Sequence, residues 1–321
     1  MRTIWLTEFG DPSVLVAGEA PDPKPGQGQV LVDVEAVNVV FIETQIRAGR
    51  PPLPMQSPTP PYVPGTGIGG VITAVGPHTD PGLLGRRVIG HTNGTGGYAE
   101  KAVVAAHQTI PIPAELSTAD AVALLTDGSA ALAISGLGAP KPDEWVLVEA
   151  AAGGLGGLLV QLALTAGAKV IGAVGSEAKL QAVRDAGAQA VTYARPDWTE
   201  RVRTLTGGVG VDVVFDCVGG ETGTAAASLV DAGGRFVLTG AAGGVFTDTR
   251  ALAARGVTVI GLRQLMGALG NQRELAATAL EEAVAGRLRP VIGRTFPLER
   301  AADAHAAMES RSTIGKTLLL V

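Results

Sequence analysis

The chain has 321 residues, of which 46% are hydrophobic and only 17% charged, and its net charge is −5. That length accommodates two ordinary domains, the hydrophobic fraction excludes a disordered chain, and the lack of any basic run excludes a nucleic-acid backbone as partner. One cysteine, Cys217, excludes an internal disulfide framework and any zinc site built on several thiolates.

No apolar run follows Arg2, and Glu8 and Asp11 come early, so no signal peptide is expected and the chain reads as cytoplasmic. The first ~115 residues read as β structure broken by Pro and Gly. Val30 to Ala36 partly alternates apolar and charged residues, as a half-buried strand does. Further short strands are expected at Gly70–Val75, Arg87–Ile89 and Tyr98–Val104. Pro51 to Pro64 holds seven prolines in fourteen positions, which excludes a helix or a central strand and predicts a long shaped loop.

At Ser117 the pattern changes. Ser117-Thr118-Ala119-Asp120 is a capping-box candidate opening an apolar helix to about Ser135. Apolar strand candidates then begin near Val146, Val170, Ala190, Val213, Phe236 and Val257, at steps of 24, 20, 23, 23 and 21 residues. A strand every ~20–25 residues with helix between is the βαβ repeat of a parallel sheet. Glu177–Ala186 is expected to be helical, and Asp197-Trp198-Thr199-Glu200 is a second capping-box candidate. Ala150 to Ala168 is apolar for nearly a membrane-spanning length, but glycines at its start make it a turn and a buried helix, so no membrane span is expected. After Leu262 the rhythm stops. Helices at 271–285 and 298–308 and a last strand at 316–321 are expected to return to the N-terminal domain.

The first strand of the repeat, Trp145–Glu149, runs into Ala150-Ala151-Ala152-Gly153-Gly154-Leu155-Gly156-Gly157 and then a helix. This is a variant of Gly-x-Gly-x-x-Gly with Ala151, Gly153 and Gly156 at its fixed places. The first permits a tight turn, the second lets backbone approach a pyrophosphate, and the third lets helix and strand pack closely. A glycine-rich turn with no ligand is the alternative; the strand before and helix after favour the dinucleotide.

An NAD site places an acid at the end of the second strand. Here Lys169–Val174 is followed by Gly175, Ser176, Glu177, Ala178 and Lys179, with no acid at the tip and a hydroxyl and a lysine close by. This suits the 2′-phosphate of NADPH, with Glu177 read as a solvent-facing helix acid.

With those motifs in place, the chain resembles the zinc-independent quinone oxidoreductases of the medium-chain dehydrogenase/reductase superfamily, the zeta-crystallin-like branch. Carriers of the resemblance are Ala151 to Gly156, Gly96-Gly97-Tyr98-Ala99-Glu100, Gly207 to Asp216 with Val218-Gly219-Gly220, and Glu309-Ser310-Arg311. It implies an α/β chain: a GroES-like β domain over 1–120, completed by 264–321, and a Rossmann doubly wound parallel-sheet domain over 121–263. It implies a nicotinamide cleft between them, NADPH lined by Ala151, Ala152, Gly153, Gly154, Leu155, Gly156, Gly175, Ser176, Lys179, Tyr193, Val218, Gly240 and Arg311, and a homodimer through the apolar edge Val257–Leu262. From the residues alone, the reading of Tyr193 as a core aromatic and of Arg311 as a solvated tail charge is favoured. The family's Val-Asn-x-x-Asp segment stands here as Val39-Val40-Phe41-Ile42-Glu43, so the Asn place is Val40, with Asn38 two residues earlier.

Related zinc alcohol dehydrogenases carry Gly-His-Glu after the proline loop; here Gly65-Thr66-Gly67 has neither ligand, and the four histidines show no ligand spacing. Hydride transfer without a metal favours acceptors that delocalise the incoming charge, a quinone or an α,β-unsaturated carbonyl, over simple ketones that make a basic alkoxide. Glu43, Arg47 and Tyr62 are the substrate-side candidates, Arg47 facing a developing oxyanion. For Glu43 and Arg47 the competing reading is a structural ion pair in the β domain, and for Tyr62 simple packing. Rival functions are a biosynthetic enoyl reductase with a bulky substrate and a non-catalytic NADPH-binding sensor or structural protein.

Overall fold

The structure is a computed structural model, and it describes residues 1–51 and 58–321. Residues 52–57 of the proline-rich segment lie outside the described residues. The chain forms two compact units. One comprises Met1–Thr126, Ala276–Ala285 and Pro290–Val321; the other comprises Asp127–Leu275 and Gly286–Arg289. The chain passes from the first to the second inside the helix Thr118–Gly138.

The first unit is built on a seven-stranded sheet around the long strand Gln29–Val39. Its period-2 pattern is realised: Val30, Val32 and Val34 are buried, while Asp33 and Glu35 face solvent. Gly67–Val75 and Lys101–Ala105 pair with it antiparallel. The tail extends the sheet, because Lys316–Leu320 pairs with Ala36–Val39 on the same edge as Lys101–Ala105 and sets Leu319 against Val37. Ile292–Pro297, a strand without a sequence signal, then joins Lys316–Leu320 in parallel. Ile4, Leu6, Val32, Ile68, Tyr98, Ala304 and Leu319 belong to one buried core.

In the second unit all six strands of the repeat appear, in the spatial order Gln189–Thr192, Lys169–Val174, Trp145–Glu149, Val211–Asp216, Val230–Leu238, Thr258–Ile260. In chain order this is 3-2-1-4-5-6, the doubly wound Rossmann arrangement. Every pairing is parallel, which fits strands that are buried on both faces. The order reverses between Trp145–Glu149 and Val211–Asp216, and the crevice beyond the ends of these two strands is where such sheets bind ligands.

Local expectations met mixed outcomes. The Ser117 hydroxyl accepts the Asp120 N–H at 3.0 Å and so caps the helix Thr118–Gly138. Asp197 makes no such cap on Trp198–Leu205; its carboxylate takes Arg195 at 3.2 Å instead, because that guanidinium lies two residues away. The apolar stretch from Ala150 resolves into a turn and a 12-residue helix, Gly154–Thr165. Among the described residues, the helix long and apolar enough to cross a membrane is Thr118–Gly138, and most of it is buried inside the protein.

Candidate dinucleotide site

The turn after Trp145–Glu149 begins with Ala150 at φ +49°, and Gly153 N–H closes it by donating to the Ala150 carbonyl at 2.8 Å. Gly153 is the N-cap of Gly154–Thr165, with extended backbone and no side-chain cap. The first turn of that helix contains no acid, so its unsatisfied N–H groups and dipole present an uncluttered anion site. Gly156 is there for space: a Cβ on it would lie 2.4 Å from the Ala150 carbonyl oxygen. Ala151 and Ala152 are buried beneath the turn, where Ala151 stands against Gly172 of the neighbouring strand. The backbone cradle fits a pyrophosphate.

At the second strand tip the structure brings Gly175, Ser176 and Tyr193 together. The Tyr193 ring lies over Gly175, whose added Cβ would be 3.2 Å from the phenol oxygen. Trp198 meets the same ring edge-on at 6.5 Å between centroids, holding it in place. Lys179 ends the short turn of helix Glu177–Lys179, its N–H on the Ser176 carbonyl at 3.2 Å. The Glu177 carboxylate turns to Arg195 at 3.5 Å, which leaves the strand tip itself without an acid. Arg311 belongs to the first unit, in left-handed backbone at φ +54° just after the helix Ala301–Glu309.

Val218 and Gly240 line the ends of the next two strands. Gly240 donates to the Asp216 carbonyl at 3.1 Å, and a Cβ on it would sit 2.7 Å from the Cys217 carbonyl. Desolvation pushes the Cys217 thiol up to about 12, which removes it as a nucleophile at neutral pH. Sequence reasoning missed two buried acids at this crevice, Glu149 and Asp216. They sit at the ends of two strands whose signal is their apolar run, and no spacing marks them as partners.

The substrate-side candidates all lie in the first unit. Glu43 occupies the third position of the helix Phe41–Arg47, whose cap, Val40, has no oxygen to offer; Glu43 reaches back to the Val40 N–H at 3.0 Å. It also accepts from the Thr66 hydroxyl at 2.7 Å and the Tyr98 phenol at 3.0 Å. Burial raises its carboxyl above the usual range, against the pull of those donors. Beyond Tyr98, His305 Nε2 lies 2.9 Å from the same phenol oxygen. This Glu43–Tyr98–His305 chain was invisible in the sequence. Arg47 is 2% exposed, one terminal nitrogen donating to the Gly10 carbonyl and the other to Glu309. The expectation that it faces an oxyanion is therefore corrected: its terminal nitrogens are held inside the β domain. Tyr62 is half-buried, its backbone paired with Leu6, and burial with the nearby Glu43 charge raises its phenol.

Among the described residues no group of three or more His, Cys, Asp or Glu could hold a metal ion.

Comparison with known proteins bears on these features. Residues 26–114 match the alcohol dehydrogenase GroES-like domain family, and residues 186–319 match the zinc-binding dehydrogenase family. A quinone oxidoreductase of Rattus norvegicus is 32% identical over 325 residues, covering 100% of this chain and 98% of the relative. A 2-haloacrylate reductase of a Burkholderia species is 35% identical over 321 residues, covering 97% and 96%. The crystal structure of Escherichia coli quinone oxidoreductase complexed with NADPH superposes with a TM-score of 0.88 at 30% identity, over the full length of both chains.

Proposed function

The chain belongs to the quinone oxidoreductases of the medium-chain dehydrogenase/reductase superfamily and is an oxidoreductase, and we propose that it uses NADPH to reduce a quinone or an α,β-unsaturated carbonyl without a metal. The observation that carries this reading is the cradle at the sheet's switch point: an acid-free helix start after a glycine turn, beside a strand tip that offers Ser176, Lys179 and Tyr193.

Each residue has a stated task. Ala151 to Gly156 hold the pyrophosphate by backbone N–H groups. Tyr193 stacks or packs at the adenosine side, with Lys179 and Ser176 on the 2′-phosphate. Gly175, Val218 and Gly240 keep backbone close to the cofactor. Bound there, the nicotinamide supplies the hydride.

Metal independence is supported by the donor set. Thr66 stands where zinc relatives have histidine, and its hydroxyl is used on Glu43. Without a Lewis acid, the chain has only hydrogen bonds to offer a developing oxyanion, and these suffice best when the charge is spread over a conjugated product. A relative acting on a 2-haloacrylate, itself an activated alkene, agrees with that preference. Tyr62 is the substrate-side phenol we carry forward. We also propose a cytoplasmic homodimer.

The test is NADPH absorbance loss with a simple quinone. Rapid oxidation with NADPH, and slow oxidation with NADH, is the expected result. Tight NADPH binding with every acceptor inert would instead leave a non-catalytic binding protein.

A further inference from the structure

Val148 pairs in register with Phe215, so Glu149 and Asp216 stand side by side at the ends of adjacent parallel strands, projecting to the same face. Both are fully buried. Asp216 Oδ1 accepts the Gly219 N–H at 2.7 Å and the Val218 N–H at 3.2 Å, and Oδ2 accepts the Thr247 hydroxyl at 2.5 Å. Glu149 Oε2 accepts the Val218 N–H at 3.0 Å, while its Oε1 meets no donor. The two carboxyls converge on the same Val218 N–H, and the Cys217 thiol faces them both. Among the described residues neither carboxyl has an ion pair. Glycine makes the approach possible on the helix side, since a Cβ on Gly223 would lie 2.8 Å from Asp216 Oδ2.

Two buried carboxyls that share one N–H donor and have no cation beside them cannot both be charged, so the pair holds one proton. The oxygen without a donor is Glu149 Oε1, and a proton there, given to Asp216, satisfies both groups. We propose that Glu149 is a neutral carboxylic acid donating to the Asp216 carboxylate, and that this pair positions the cofactor-facing turn Val218–Gly220 and, through it, the loop 240–247.

The links are on both sides. Carboxyl oxygens hold the N–H groups of Val218 and Gly219. The Val218 carbonyl takes the Gly243 N–H at 2.6 Å, and Gly220 N–H donates to Val245 at 2.9 Å. Thr247 returns the loop to Asp216. The neutral state also keeps a second negative charge away from the pyrophosphate cradle, which begins at the very next residue, Ala150. Burial first, then the Asp216 charge, hold the Glu149 carboxyl well above its usual range. The positioning role rests on the dinucleotide reading above; the shared proton does not.

Three full-length proteins test it: wild type, Glu149→Gln and Glu149→Leu. Glutamine can accept from Val218 and donate to Asp216 with no proton to lose; leucine can do neither. By NADPH titration at pH 7.5, Gln should bind within about threefold of wild type and Leu at least about tenfold more weakly. Unfolding supplies the second readout. The unfolded chain releases this proton near 4.5 while the folded chain retains it, so wild type should lose stability relative to Glu149→Gln as pH rises. The loss approaches about tenfold in the folding constant per pH unit above the unfolded value, for as long as the folded chain keeps the proton. A pH-independent difference would overturn the shared proton. Leucine binding like wild type, or glutamine binding as poorly as leucine, would overturn the positioning role. If Glu149→Leu fails to fold, the glutamine affinity and the pH slope decide. No saturable NADPH binding by any of them would sink the cofactor reading, while the pH slope would still judge the pair.

Discussion

Arg47 and Glu309, 262 residues apart, form an ion pair that ties the helix Phe41–Arg47 to the end of the helix Ala301–Glu309. The guanidinium is nearly inaccessible and the carboxylate about one-quarter exposed. A charge so placed secures the returning tail to the β domain.

Arg47→Ala should therefore act on stability first. Removing one member of a buried pair costs ~3–5 kcal/mol, and the partial exposure of Glu309 brings this down to about 2–3 kcal/mol. Thermal denaturation should show a drop of roughly 4–10 °C, with NADPH affinity little changed. An unchanged Tm with selective loss of quinone turnover would return Arg47 to the acceptor side.

His305 sets an acid limit. Its ring is buried against Tyr98, and desolvation, with the Arg47 charge behind it, pulls it from 6.5 down to about 3. Between those values the unfolded chain binds a proton here and the folded chain does not. Its contribution is thus present above pH 6.5 and is lost as pH falls toward 3, by about 1.4 kcal/mol per pH unit. Denaturant melts of wild type and His305→Gln from pH 6 to 4 should converge at close to that rate; parallel curves would show a ring already charged in the folded state.

Much of this was legible in the sequence, for identifiable reasons. The six-strand rhythm and the glycine turn are local signals: apolar runs at regular steps, and glycine where a Cβ would strike the Ala150 carbonyl. The returning tail was readable in part: the apolar run Lys316–Leu320 lies after the six-strand rhythm has ended, and it pairs with Ala36–Val39 of the N-terminal unit, whereas its other neighbour, Ile292–Pro297, carried no signal. What escaped were pairings that only tertiary structure creates. Tyr98 meets His305 across 207 residues and Glu149 meets the Val218 N–H across 69. Asp197 shows the converse: a local capping pattern lost to a closer cation, Arg195.

Cofactor choice should follow Lys179. If Lys179 binds the 2′-phosphate as proposed, Lys179→Ala removes a charge-assisted contact, costing about 1.5–3 kcal/mol. Steady-state kinetics should show roughly ten- to a hundred-fold lower kcat/KM with NADPH and nearly unchanged values with NADH. Equal losses with both would make Lys179 a support of the fold.

Assembly can be checked by light scattering at micromolar concentration. Thr258–Ile260 is the outer strand of the parallel sheet and carries one unpaired edge. A homodimer mass is expected, and a strictly monomeric mass would refute the pairing.

The acceptor panel tests the central claim most directly. After exhaustive chelation and dialysis, the protein should oxidise NADPH with quinones and activated enones at undiminished rates. Saturated ketones and primary aldehydes should react at least about a thousand-fold more slowly, a barrier gap of ~4 kcal/mol. Efficient reduction of saturated ketones with quinones inert, or turnover abolished by removing a bound metal, would contradict it.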